Sequence, residues 1–180
     1  MVAAVAGGLE EAHRAGCDQA SRWLSVEVDP PVDAVVTSAG GWPYDCDFVQ
    51  ALKAIFNIQG ILRPGGAILW VAECPQGMKE GFLHWARIAS DDELEASVRR
   101  SYNLAGHNTI MLRALLRRAR VAMLSSLPED ALTALGVVPV RTLGEGMDWL
   151  RSCTPPGSRV AIIPHANISH AFSSEIESRP

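Results

Sequence analysis

Apolar residues fall along this chain in two alternating rhythms. DAVVTS (33–38), AILWVAE (67–73), VAMLSS (121–126) and RVAIIP (159–164) are short, β-branched and largely apolar throughout, the pattern of strands covered on both faces. Between them apolar positions recur every three or four residues, which predicts helices near 47–60, 81–100, 107–119, 128–135 and 142–152. Strands alternating with helices imply an α/β fold, a mostly parallel sheet with helices on both faces in a Rossmann-like three-layer single domain. Ser90 with Glu93 three residues on reads as a capping box, and Pro128 opens the short helix after the third strand. In such a sheet ligands collect at the carboxyl ends of the strands.

The two ends depart from the rhythm. VAAVAGGLEEAHRAG opens on what reads as the last residues of a strand, with no earlier element to pair with, so the sequence reads as the later part of a longer protein. The polar SSEIESRP at 173–180 reads as a frayed tail, leaving 1–172 as the domain.

Composition and charge narrow the function classes. A net charge of −4 over 180 residues leaves no basic excess to neutralise phosphates, which argues against a general nucleic-acid binder. LRALLRRARV is locally basic, but its arginines alternate with Leu112, Leu115 and Leu116 at helical spacing, so it reads as a solvated helix face. Cys17, Cys46, Cys74 and Cys153 are scattered without a C-x-x-C or a nearby histidine cluster, which suggests neither a zinc site nor a disulfide framework and makes a reducing cytoplasmic setting the default. No apolar run approaches a membrane span, and the first residues lack the basic and apolar regions of a secretion signal.

The stretch SAGGWPYDCDFVQALKAI carries the first candidate chemistry. Trp42 and Asp45 stand where a dinucleotide loop needs glycine, and no G-K-[ST] follows, so both nucleotide motifs are excluded. Gly40 and Gly41 instead suit a tight turn stiffened by Pro43. In the helix that follows, Asp47, Gln50, Lys53 and Asn57 share one polar stripe while Phe48, Leu52, Ile55 and Gln59 mark a largely apolar one. Gln50 and Lys53 therefore point the same way just after a strand end. An amide beside an ammonium suits a small carboxylate, although a solvated helix face has the same pattern. Glu73 at the end of the second strand either faces a ligand or ties down the next loop. His107 and His165 occupy element edges, where a histidine is a candidate for proton transfer, whereas His13, His84 and His170 read as surface or packing residues.

LRPGGAILWVAE resembles the late portion of class I methyltransferases that use S-adenosylmethionine, but the acidic glycine-rich loop of that family is missing. A broader resemblance is carried in order by AVAGGLEEAHRAGC, DAVVTSAGGWPYDCDFVQALKAI, LRPGGAILWVAECPQG, AGHNTIMLRALLRRARV and RVAIIPHAN. Together these segments, from about residue 3 to 169, resemble the C-terminal domain of the nickel-dependent lactate racemase family. The resemblance implies a two-domain enzyme that inverts a small 2-hydroxy acid by moving hydride to and from a nickel-pincer nucleotide. It places that cofactor, its anchoring lysine and the catalytic histidines on an N-terminal domain, in the same or a separate polypeptide. This chain would then hold no catalytic residue, no metal and no covalently bound cofactor, and would be inactive alone. The family's Y-Q-x-x-K motif maps its Gln and Lys onto Gln50 and Lys53, which help hold the substrate, while its Tyr is Val49 here. A family aromatic falls at or near His107, which implies a pocket different from that of a lactate enzyme. Gly40, Gly41, Trp42, Asp45, Glu73 and His165 are the candidate cleft loops. The alternatives are a small methyltransferase, which would bind S-adenosylmethionine alone, and a non-catalytic α/β module with an exposed apolar docking surface.

Overall fold

The four apolar runs lie side by side in one sheet. The computed structural model describes residues 3–79 and 81–177. In chain order the elements are α1 (Leu9–Leu24), β1 (Ser25–Glu27), β2 (Val32–Ser38), α2 (Phe48–Ile58), β3 (Leu62–Val71), α3 (Phe82–Ala86), α4 (Asp91–Arg100) and α5 (Leu104–Leu116). Then come β4 (Ala119–Leu124), α6 (Glu129–Ala134), β5 (Val138–Val140), α7 (Leu143–Cys153), β6 (Val160–Ile163), a 3-10 turn (Ala166–Ile168), β7 (His170–Phe172) and α8 (Ser174–Glu177). Five strands form the main sheet in the order β5-β4-β3-β2-β6, every neighbouring pair parallel. The expected α/β domain with helices on both faces is the one observed.

Strand residues alternate between two unequal cores. Val35, Ile68, Trp70, Val121 and Met123 pack on the larger side against α2, α5 and α6. Ala34, Ala67, Leu69 and Ala122 turn to the other side, where Val140 and Leu150 complete a smaller cluster. Small residues there let α7 come close: a Cβ on Gly146 would sit 2.7 Å from Leu69 Cδ1. α7 lies over β3, β4 and β5. Val160 and Ile162, paired with Ala34 and Val36, belong to the same face at the sheet edge, and they are 45% and 72% exposed.

Several boundaries differ from expectation for local reasons. The helix expected over 81–100 is two, because Ser90 starts a new one by accepting the Glu93 N–H at 3.4 Å. α5 begins at Leu104 rather than near 107, since Asn103 Oδ1 accepts from Ala105 N at 2.9 Å and Gly106 N at 3.3 Å. Pro128 is the residue before α6, not its first. β3 runs back through Pro64-Gly65-Gly66, where pairing jumps from Val32↔Leu62 to Ala34↔Ala67 and Gly65 takes φ +81°. That glycine pair is an irregularity at the amino end of the strand, where a side chain on Gly66 would strike Asp33 O at 2.8 Å.

Both chain ends need correction as well. Residues 3–6 form no strand, and the segment leads into α1, a helix that buries none of its residues. β1 pairs instead with β7 in a separate two-stranded sheet, elements too short to show a period in the sequence. The expected fray at 173–180 does not start at 173. Ser173 is fully buried, and its hydroxyl and that of Ser174 both donate to the Asp29 carboxylate, which these bonds hold below the usual carboxylate pKa. Residues 178–180 lie outside the described part. No helix among the described residues is long and apolar enough to cross a membrane.

Candidate functional site

The polar stripe on α2 divides into structural ends and a different middle. At the start, Asp47 is extended backbone whose Oδ1 accepts the Gln50 N–H at 2.9 Å. Its other oxygen lies 3.4 Å from Lys79 Nζ, and only 5% of its side chain is exposed. At the far end, Asn57 Nδ2 donates to Ala166 O at 2.9 Å and Asn167 O at 3.4 Å, tying α2 to the turn after β6. Gln50 and Lys53 remain between them. Lys53 Nζ, on an exposed side chain, donates to Gln50 Oε1 at 2.6 Å. A lysine only donates, so it fixes the amide with its oxygen toward Lys53 and leaves both Nε2–H groups to donate elsewhere. No carboxylate pairs with Lys53 among the described residues.

The loop from β2 to α2 forms one rim. Gly40 and Gly41 take φ +106° and +77°, and Gly41 O accepts from Tyr44 N at 2.8 Å and Asp45 N at 3.2 Å. A Cβ on Gly40 would lie 3.0 Å from His165 Nδ1, so the absence of a side chain lets the loops after β2 and β6 meet. His165 is exposed on that rim, and Trp42 projects from the loop at 68% exposure. Asp45 turns inward: its buried Oδ2 accepts from Glu73 N at 3.2 Å and its backbone O accepts from Cys74 N at 3.1 Å. Glu73 O in turn accepts from Ser126 N at 3.0 Å and Ser125 Oγ at 3.1 Å. Glu73 thus ties down its loop through its backbone, and its side chain is exposed.

Asn167 was not singled out in the sequence, yet it joins these parts. Its Nδ2 donates to Tyr44 O at 2.8 Å and to Gln50 O at 3.0 Å. With two carbonyls as acceptors the amide orientation is determined, and Oδ1 is left buried without a donor among the described residues. Such an atom costs about 1–3 kcal/mol. Its position just past the end of β6, in IIPHAN, was the signal available.

The side chains of the other candidates make no hydrogen bond to Gln50, Lys53 or Asn167 among the described residues. His107 lies in the first turns of α5 beside Tyr102, ring centroids 6.1 Å apart, and no hydrogen bond or ring contact links it to Gln50 or Lys53 among the described residues. Val49 is buried in the larger core, so it offers no counterpart to a phenol at the site. Burial, reinforced by the carboxylates of Asp45 and Asp47, pushes the Cys74 thiol up to about 12, which makes it a neutral thiol and no nucleophile. All four cysteines are free, and no three His, Cys, Asp or Glu side chains gather as metal ligands among the described residues.

This parallel open α/β sheet gathers an amide, an ammonium and a glycine turn beyond the carboxyl ends of two adjacent strands, the edge at which ligands collect in sheets of this class. Residues 28–169 match the family model of the lactate racemase C-terminal domain, and the chain belongs to that family. It is 28% identical over 171 residues to a lactate racemase of Thermoanaerobacterium thermosaccharolyticum and 27% identical over 175 residues to one of Lactiplantibacillus plantarum. Each comparison covers 91% of this chain and 40% of the relative, so the chain spans about two fifths of their length. The lactate racemase apoprotein structure from T. thermosaccharolyticum superimposes with a TM-score of 0.78 at 25% identity, over 93% of this chain and 41% of that one. A Thermotoga maritima protein shares the fold with a TM-score of 0.63 at 16% identity, over 93% of this chain and 43% of that one.

Proposed function

We propose that this chain is the substrate-holding part of a lactate racemase-like enzyme that inverts a small 2-hydroxy acid. The carrying observation is the Lys53–Gln50 pair, locked at 2.6 Å with no carboxylate on Lys53 among the described residues. Lys53 faces the substrate carboxylate as its counter-charge, and Gln50 Nε2 donates to a carboxylate or hydroxyl oxygen. Holding the acid from its carboxylate end leaves Cα presented outward, toward the portion of the enzyme that the longer relatives contain and this chain does not cover. Such preorganised groups contribute most when a closed cleft excludes water.

The nickel-pincer nucleotide implied by the family resemblance has no matching donor set here. His165 stands alone, the Cys74 thiol is buried and neutral, and no ligand cluster forms among the described residues. Its redox chemistry therefore belongs, in this proposal, to an N-terminal portion in the same or a separate polypeptide, and this chain contributes binding and orientation. Family membership leaves the methyltransferase reading without support, and the Pro64-Gly65-Gly66 segment that suggested it lies at the amino end of β3, opposite the candidate site.

Lys53→Ala tests the proposal. Titration of pyruvate and of lactate onto the chain, followed by NMR, should show apparent Kd rising about tenfold or more, equivalent to roughly 1.4 kcal/mol, with an unchanged melting temperature. In the enzyme assembled with its N-terminal portion, the substrate KM should rise in step or turnover should vanish. Wild-type binding and kinetics in Lys53→Ala would refute it.

A further inference from the structure

We infer that Asn167 is a positioning residue for the Gln50–Lys53 pair, an assignment that rests on the substrate-holding reading above. α2 is attached to the loop after β6 at two places. Near its end Asn57 donates to the backbone oxygens of Ala166 and Asn167, an attachment that touches neither Gln50 nor the glycine loop. Near its start Asn167 spans two carbonyls from different segments, Tyr44 O at 2.8 Å and Gln50 O at 3.0 Å, with one amide nitrogen. That single group therefore sets the distance between the rim carrying Tyr44 and the helical turn carrying Gln50.

The amide suits this task better than the other small polar side chains. Two N–H groups on one planar nitrogen reach two acceptors, whereas a hydroxyl has one hydrogen to donate and a carboxylate has none. The arrangement keeps Asn167 Oδ1 buried and unsatisfied among the described residues, a feature that persists where surrounding structure outweighs it. Among the described residues no hydrogen bond joins Asn167 to Lys53, so it acts through Gln50, whose Oε1 receives the lysine.

The test compares Asn167→Ala with Asn57→Ala in the full chain, each reading melting temperature, the NMR order parameter of the Gln50 Nε2H2 group, and pyruvate affinity. Both variants lose ties between α2 and the same loop, so similar melting losses are expected. Asn167→Ala should lower the Gln50 order parameter and raise the pyruvate Kd about tenfold, while Asn57→Ala leaves both near wild type. Asn167→Ser, which keeps one donor, should fall between and provides a milder variant if Asn167→Ala does not fold. Equal losses of Gln50 order in the two alanine variants, or an unchanged order parameter in Asn167→Ala, would overturn the assignment. Absence of any pyruvate response in the wild type would instead count against the substrate-holding reading, and the order parameter would still decide the role of Asn167.

Discussion

α1 and α2 are both amphipathic helices, and they relate to the domain in opposite ways. α2 buries Phe48, Val49, Ala51, Leu52, Ala54, Ile55 and Ile58 and presents its polar stripe at the carboxyl edge of the sheet. α1 is longer by five residues, 16 against 11, yet buries none. The difference lies in composition and in surroundings, since α2 is apolar over most of its length while α1 is largely polar. α2 follows β2 directly and lies against the strand layer, so each apolar residue meets Trp70, Phe82 or another member of one continuous cluster. α1 precedes the small β1–β7 sheet and adjoins β1, and it belongs to neither apolar cluster among the described residues. Burial, not periodicity, decides which helix carries stability, because apolar area contributes only when it leaves water.

The sharpest test of the contrast is Phe48→Ala. Phe48 is fully buried, 5.1 Å from the Phe82 ring centroid and 5.7 Å from that of Trp70, so truncation opens a cavity among aromatic neighbours. Chemical denaturation should show a loss of about 3–5 kcal/mol. A loss under about 1 kcal/mol would mean that α2 is not the anchor described here. A smaller effect is expected from Asp47→Ala, which removes the cap on Gln50 N and the partner of Lys79. It should cost about 1–2 kcal/mol and loosen the turn that carries Gln50, so pyruvate affinity should weaken alongside stability. Stability lost with affinity intact would separate the cap from the site.

How far the sequence announced these roles depends on the range of each interaction. The strands were legible because β2, β3, β4 and β6 are apolar on both faces over several residues, and Gln50 and Lys53 were legible because helical spacing places them together. Asp47 and Asn57 carried the same stripe signal but do different work, since the partners that define them lie at Lys79 and Ala166. Asn167 was illegible for the converse reason. It sits in a loop with no period, and its two acceptors, Tyr44 and Gln50, are more than a hundred positions away in the chain. His107 looked as eligible as His165 by local sequence, and their neighbours differ: His165 borders Gly40 in the loop after β2, while His107, on α5, borders Tyr102. The segment before α1 was misread because VAAVA has strand composition, while residues 3–6 make no strand pairing.

The smallest expected effect closes the contrast. Trp23 and Leu9 are among the most conspicuous apolar side chains of α1, and they are 53% and 88% exposed. Alanine is a stronger helix former than tryptophan and no weaker than leucine. Replacing both with alanine therefore opens no cavity in either core, removes almost no covered area at Leu9 and the covered half of Trp23, and leaves local helix preference undiminished. The double variant should lose no more than about 1 kcal/mol of unfolding free energy, whereas the same chemistry at Phe48 should cost several times as much. A loss of 2 kcal/mol or more would show that the apolar face of α1 is covered in solution. The distinction between the two helices would then be one of partner rather than of burial.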